Sequence, residues 1–199
     1  MKIAVISDSH DHIWNTRRVV EQANRLGVEV MIHCGDLVSP FMLEEFDRFQ
    51  GRVHLILGNN PGDQVLLMRS ILSRQGRAEF HGWFGAIELG GISIAWIHSP
   101  DEARHIARSG DFSLVCCGHT HRWSMEDMGH VLLLNPGEIL GRKEQPGWAL
   151  IDVVTAEGKS EEAIKMGGPV DGAGPGKKPV WSDFFGVERI FLEEEVLIL

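Results

Sequence analysis

The amino-acid sequence predicts an α/β fold in which two β-sheets pack face to face. Three observations carry this reading. Short apolar runs alternate with helix-periodic stretches as far as Arg74, strand-like runs dominate from Ala86 onward, and several of the runs stop at a glycine followed by a polar residue. With 199 residues, 43% of them hydrophobic and 24% charged, the chain is long enough to bury one sizeable core.

The elements follow in order. Residues 2–6 form an apolar run that ends at Ser7-Asp8 and reads as a buried strand. Residues 13–26 carry apolar side chains at Ile13, Val19, Val20, Ala23 and Leu26, a helical spacing, and Gly27 supplies the stop. Residues 28–33 are a second strand closing at Gly35-Asp36, residues 40–49 a short helix, and residues 53–57 a third strand closing at Gly58-Asn59. Residues 62–74 are helical. Residues 86–89 and 92–97 make a hairpin about Gly90-Gly91, and its second arm ends at His98. A helix over 101–108 and a strand over 112–117 lead into the loop Gly118-His119-Thr120-His121. Residues 131–134 are a strand before the turn Asn135-Pro136-Gly137, and residues 148–154 are expected to pair with 162–166 across Glu157-Gly158.

Composition divides the chain into a domain over 1–166, a Gly/Pro-rich linker over 167–183 and an apolar and acidic tail over 184–199. An apolar tail end does not stay exposed cheaply, so residues 184–199 are expected to dock on their own domain or to join two copies as a homo-oligomer. Gly172 to Lys178 has a superficial likeness to a phosphate-binding loop, but the glycine spacing is wrong and no Ser or Thr follows Lys177.

A formal net charge of −9 argues against duplex nucleic acid as a partner, because phosphate neutralisation needs clustered Lys and Arg. It leaves room for a small phosphorylated substrate beside bound cations. No run is long enough to span a bilayer, the apolar run after Met1-Lys2 is too short for a signal-peptide core, and Cys34, Cys116 and Cys117 form no disulfide or zinc pattern. A cytoplasmic setting is expected.

The chemistry sits where the strands end. Asp8-Ser9-His10 places a carboxylate and an imidazole two residues apart; Gly35-Asp36 and Gly58-Asn59 each put a polar side chain after a glycine; His98 follows an apolar run; His119 and His121 bracket Thr120. Taken singly, Gly-Asp and Gly-Asn are ordinary turn dipeptides and a lone His is more often a packed one. Five strand ends that all finish in metal-capable residues make chance a poor account. The remaining histidines, His33, His54, His81, His105 and His130, have no partner motif and read as packing or surface groups. Trp14 and Trp123 follow the motifs closely enough to wall a pocket, although large aromatics are usually core.

This ordered set resembles the signature of calcineurin-like metallophosphoesterases, in particular the small bacterial and archaeal phosphodiesterases related to the retromer subunit Vps29, and the likeness covers roughly residues 1–155. The resemblance implies a four-layer α/β/β/α sandwich of two mixed sheets flanked by helices. It implies two divalent cations, one held by Asp8, His10, Asp36 and His121 and the other by Asp36, Asn59, His98 and His119, with a hydroxide between them as nucleophile. The donor set suits Mn²⁺, Fe, Co, Ni or Zn, with Mn²⁺ favoured. Asp36, Asn60 and His12 are the catalytic candidates. Many relatives have a proton-donating histidine where this chain has Asn60, whose amide is no acid, and His12 is the nearest alternative donor in sequence. The resemblance implies hydrolysis of a phosphodiester as the leading function, with a phosphomonoester or a pyrophosphate as alternative substrates and a non-catalytic protein-binding scaffold as the competing function.

Overall fold

The computed structural model describes residues 1–74, 76–153, 182 and 185–192. The first apolar run becomes β1 (Lys2–Ile6) and is followed by α1 (Ile13–Arg25), β2 (Val30–His33), a 3₁₀ turn (Pro40–Met42), α2 (Leu43–Phe46) and β3 (Arg52–Leu55). Next come α3 (Gln64–Leu72), β4 (Ala78–Phe80), β5 (Phe84–Leu89), β6 (Ile92–Ile97), α4 (Pro100–Ser109), β7 (Leu114–Cys116), β8 (Trp123–Asp127), β9 (Leu132–Pro136), β10 (Gly147–Val153) and β11 (Phe185–Phe191).

Two mixed sheets result, as predicted. One has six strands in the order β11-β10-β1-β2-β3-β4 and the other five in the order β5-β6-β7-β9-β8. Strands β1 to β4 run parallel, and so do β6, β7 and β9, while β10, β11, β5 and β8 are antiparallel to their neighbours.

Alternation along the strands separates the layers, because successive side chains leave a strand on opposite faces. Ala4 and Ile6 of β1 pack with Val19, Val20 and Ala23 of α1, Leu43 and Phe46 of α2, and Leu67 and Ile71 of α3. Ile3 and Val5 face the other way and meet Ile94, Trp96, Leu114 and Leu132 of the second sheet. That sheet's outer face, through Ala95, Val115 and Leu133, is covered by Ala103 and Ala107 of α4. The order is helices, sheet, sheet, helix. Fully burying one Val, Leu or Ile is worth roughly 1.5–3 kcal/mol, so the three apolar layers dominate the favourable side of folding.

The helices begin where their sequences offer caps. Asp63 accepts from the Leu66 N–H at the start of α3, and Ser99 from the Glu102 N–H, with Pro100 next, at the start of α4. Gly110 ends α4 in the left-handed conformation.

Four expectations need correction or comment. The helix expected over 40–49 divides into the 3₁₀ turn and the single turn of α2. Strands β4 and β8 were not foreseen: β4 has only three residues, and β8 is an edge strand whose half-exposed residues carry no apolar alternation. The segment 162–166, expected to pair with β10, lies outside the described residues. The described partners of β10 are β1 and β11. Finally, residues 185–191, part of the segment expected to dock on its own domain or join two copies, form the sixth strand of the first sheet. Phe185 is buried between the sheets, the Gln22 side-chain amide donates to the Phe191 carbonyl, and Arg189 Nη2 donates to Glu144 Oε2 at 2.7 Å. Among the described residues no helix is long and apolar enough to cross a membrane.

Candidate metal centre

All five strand ends deliver their polar residues to one rim of the sandwich, because β1, β2, β3, β6 and β7 run the same way within their sheets. The loops are tied together within each sheet, and the His119 N–H reaches between the sheets to Asp8 Oδ2 at 3.0 Å. Asp8 N–H donates to Gly35 O (3.1 Å), His10 N–H to Asp36 O (3.0 Å) and Gly118 N–H to His98 O (3.1 Å). Asp8, His10, Asp36, His119 and His121 all have positive φ, between 40° and 70°. A non-glycine residue in the left-handed region costs about 1–2 kcal/mol, and such outliers concentrate where function requires a side-chain direction that an ordinary loop would not give.

The side chains converge. His10 Nε2 lies 3.7 Å from Asp8 Oδ1 and 3.4 Å from Asp36 Oδ2, and His121 Nε2 is 3.4 Å from Asp8 Oδ1. His98 Nε2 is 3.5 Å from Asp36 Oδ2 and 4.0 Å from Asp8 Oδ1. Asn59 Oδ1 sits 2.9 Å from His98 Nε2 and 2.6 Å from His119 Nδ1. The structure therefore brings together all seven metal-binding candidates, Asp8, His10, Asp36, Asn59, His98, His119 and His121.

This arrangement fits cations. Asp8 Oδ1 and His10 Nε2 are buried with no hydrogen-bond partner, an expensive condition unless something else satisfies them. Divalent ions bind nitrogen and oxygen at ~2.0–2.2 Å, so donors held ~3–4 Å apart can share one ion. The far sides of two imidazoles are occupied: His98 Nδ1 donates to Cys34 O (2.8 Å) and His121 Nδ1 to Glu138 Oε2 (2.5 Å), which turns both Nε2 atoms inward.

The electrostatics agree. Burial acts to raise Asp36, but the His98 imidazole and the two donors of Asn60 outweigh it and hold the carboxyl far below its usual range. Burial also acts to raise Asp8, and the neighbouring His10 and Ser7 side chains together with His98 and His121 overcome it. At 3.7 Å, His10 acts on Asp8 as a nearby charge, since the distance is too long for a hydrogen bond. Both carboxylates are thus ionised at neutral pH.

Close approach makes two glycines necessary. A Cβ on Gly58 would lie 2.1 Å from Asp36 Oδ1, and one on Gly118 would lie 1.9 Å from Ser7 Oγ and 2.7 Å from Asp8 Oδ2.

Several supporting residues escaped the sequence reading. Glu138 is buried, accepts from His121 on one oxygen, and accepts from the backbone N–H groups of Lys143 and Glu144 on the other. Asn135 Nδ2 donates to Gly118 O (2.7 Å) and Thr120 Oγ1 (3.0 Å), fixing the histidine loop. The only sequence signal for either was the Asn135-Pro136-Gly137 turn, which Glu138 follows. His33, read as a packing residue, is fully buried and pushed down to about 4 by that burial, so it is neutral; its Nε2 contacts Ser9 Oγ at 3.1 Å between two candidate ligands. Replacing Glu138 with Gln is expected to weaken metal binding and turnover about 10–100-fold, since the amide can leave His121 in the wrong tautomer. Metal titration of the two proteins by calorimetry checks this.

The catalytic candidates Asn60 and His12 have other partners. Asn60 donates its backbone N–H to Asp36 Oδ1 (2.8 Å) and its side-chain amide to Asp36 Oδ2 (2.7 Å), so it anchors that carboxylate. His12 is the N-cap of α1, its Nδ1 accepting from the Asn15 N–H at 3.1 Å. Beside the centre opens a cavity of about 390 Å³ lined by Gly58, Asn59, Trp83, Ile97, His98, Ser99, Glu102 and His119. Trp83, which is 55% exposed, is the tryptophan at this cavity. Trp14 is instead exposed on α1 and Trp123 lies under Arg189.

Comparison with known proteins shows the family. Residues 1–156 match the family model of the calcineurin-like phosphoesterase superfamily domain. A phosphodiesterase of Methanocaldococcus jannaschii is 34% identical over 143 residues, which cover 71% of this chain and 86% of that protein. The solved structure of an archaeal phosphodiesterase is 32% identical with a TM-score of 0.71, covering 76% of this chain and 93% of the other. Vps29 of Chaetomium thermophilum shares the fold at 17% identity, with a TM-score of 0.57 and coverage of 77% of this chain and 83% of that one.

Proposed function

Because this chain belongs to the calcineurin-like phosphoesterase superfamily, we propose that it is a metal-dependent phosphodiesterase whose cations are held by the seven converging donors. The observation that carries the proposal is that convergence, with unpartnered Asp8 Oδ1 and His10 Nε2 at its centre. Asp8, His10, Asp36 and His121 form one donor group and Asp36, Asn59, His98 and His119 the other, with Asp36 in both. When bound, two cations supply water acidic enough to attack at neutral pH and positive charge for the phosphoryl oxygens.

The chain's own residues do the remaining work. Asn60 holds Asp36 in place by two hydrogen bonds, Glu138 and the Cys34 carbonyl keep His121 and His98 aimed inward, and the left-handed loop residues set the directions of Asp8, His10, Asp36, His119 and His121. The cavity favours a diester over a monoester. It offers a second substituent on phosphorus the indole of Trp83 and the side chain of Ile97, where a monoester would present only anionic oxygens. The named activity of the relative from M. jannaschii points the same way.

The test uses chain stripped by chelator and reloaded with Mn²⁺, Co²⁺, Ni²⁺ or Zn²⁺. Bis(p-nitrophenyl) phosphate is expected to turn over at least tenfold faster than p-nitrophenyl phosphate or pyrophosphate, with Mn²⁺ the best of these ions. Faster hydrolysis of the monoester would reassign the substrate class. No turnover with any ion would favour a protein-binding scaffold.

A further inference from the structure

On β3 and β4, away from the centre just described, three potential ligands meet. His54 and Glu79 are register partners across the β3–β4 ladder, so their side chains share a face. Val53 and Leu55 point to the helix-side core, which puts His54 on the side facing the second sheet. His81 follows β4 directly, and its backbone N–H is tied to Leu55 O at 3.0 Å.

The donor atoms are close. His54 Nδ1 and His81 Nε2 are 3.0 Å apart; Glu79 places Oε2 3.7 Å from the first and Oε1 3.8 Å from the second. These separations match those among the donors of the main centre, and they are in the range at which two imidazoles and a carboxylate can share one divalent ion through bonds of ~2.0–2.2 Å. A hydrogen bond between two imidazoles explains the 3.0 Å contact by itself. It does not explain why one carboxylate reaches towards both nitrogens.

We propose that His54, Glu79 and His81 form a separate site for a borderline divalent transition-metal ion, with Zn²⁺ or Co²⁺ as the matching probes. Two imidazoles and one carboxylate suit these ions better than Mg²⁺ or Ca²⁺, and three protein ligands leave a coordination position for water. Burial holds both histidines below their ordinary range, and an ion would replace the proton shared between His54 Nδ1 and His81 Nε2, which moves to the far nitrogen of its ring.

The surroundings provide support and access. Trp96, completely buried, packs edge-on against both rings at centroid distances of 4.8 Å to His81 and 6.3 Å to His54. His54 and Glu79 line a cavity of about 520 Å³, an entry path in which Arg52 and Arg77 are balanced by Glu29 and Glu79. Such an ion would pin the three-residue edge strand β4 to β3.

The experiment counts metal and does not rely on turnover. Chelator-treated chain is dialysed against Zn²⁺, desalted and analysed by mass spectrometry for zinc per chain, and Co²⁺ binding is followed by its visible spectrum. His81→Gln is expected to bind one Zn²⁺ fewer than the unaltered chain and to lose one component of the Co²⁺ spectrum, with Mn²⁺-dependent diester hydrolysis kept within about twofold. Glu79→Gln, at a side chain 62% exposed and so harmless to folding, is expected to weaken that ion at least tenfold. It decides the matter if His81→Gln does not fold. An unchanged zinc count in His81→Gln, or unchanged affinity in Glu79→Gln, overturns the proposal. Because the readout is a difference between variants, failure of the main centre to bind two ions leaves this test intact.

Discussion

Asp36→Ala is expected to lower Mn²⁺-dependent diester hydrolysis by about 10³-fold or more and to reduce metal at the main centre from two ions to at most one. Asp36 Oδ2 stands 3.4 Å from His10 Nε2 and 3.5 Å from His98 Nε2, one from each donor group, so its loss removes a ligand from both. It also strands the two Asn60 donors that now end on its oxygens, leaving that loop without its anchor. Asn59→Ala should be milder, because Asn59 belongs to one donor group, beside His98 and His119, and contributes a neutral oxygen. The check is metal content and turnover measured on the same preparations. Near-normal turnover in Asp36→Ala would remove the basis for the proposed centre.

The second large effect concerns the leaving group. With an amide at position 60 and His12 capping α1, neither candidate is placed as a proton donor, so hydrolysis of aryl phosphodiesters should depend steeply on leaving-group pKa. Asn60→His is expected to flatten that slope, since general acid catalysis contributes about 10²–10⁴-fold and helps poor leaving groups most. The structure adds a cost. The histidine keeps the backbone bond to Asp36 Oδ1 but loses the side-chain bond to Oδ2, so the best leaving groups should react somewhat more slowly than with the unaltered chain. A general fall in rate with no change of slope would mean that position 60 only anchors Asp36. A shallow slope in the unaltered protein would mean that a donor already acts, and His12→Ala would then reveal whether it is that residue.

Much of the molecule is legible in the sequence, and the reason lies in particular residues. Strands β1, β2, β6 and β7 are buried on both faces, so they appear as continuous apolar runs that end abruptly at Asp8, Asp36, His98 and His119. Amphipathic α1 and capped α4 announce themselves by spacing and by Ser99-Pro100. All seven candidate ligands were visible because each stands next to such a strand end.

What stayed hidden depends on partners distant in sequence. β11 pairs with β10 across residues that separate them by more than thirty positions, and a composition-based boundary at residue 166 cannot foresee a strand completed from beyond it. β8 carries no apolar period because one edge of a sheet asks for none. Glu138 looks like any acidic residue after a turn until folding places His121 Nδ1 against it, and Asn60 is a missing acid in sequence but the holder of Asp36 in space. His54, Glu79 and His81 are unremarkable in order along the chain and meet only because of the β3–β4 register. The sequence by itself determined the layered α/β architecture and which side chains the strand ends would offer, since those follow from local apolar periodicity and its interruptions. The tertiary structure alone decided which atoms face one another and which nitrogen or oxygen is left without a partner, because hydrogen bonds and burial between distant segments exist only once the two sheets have packed.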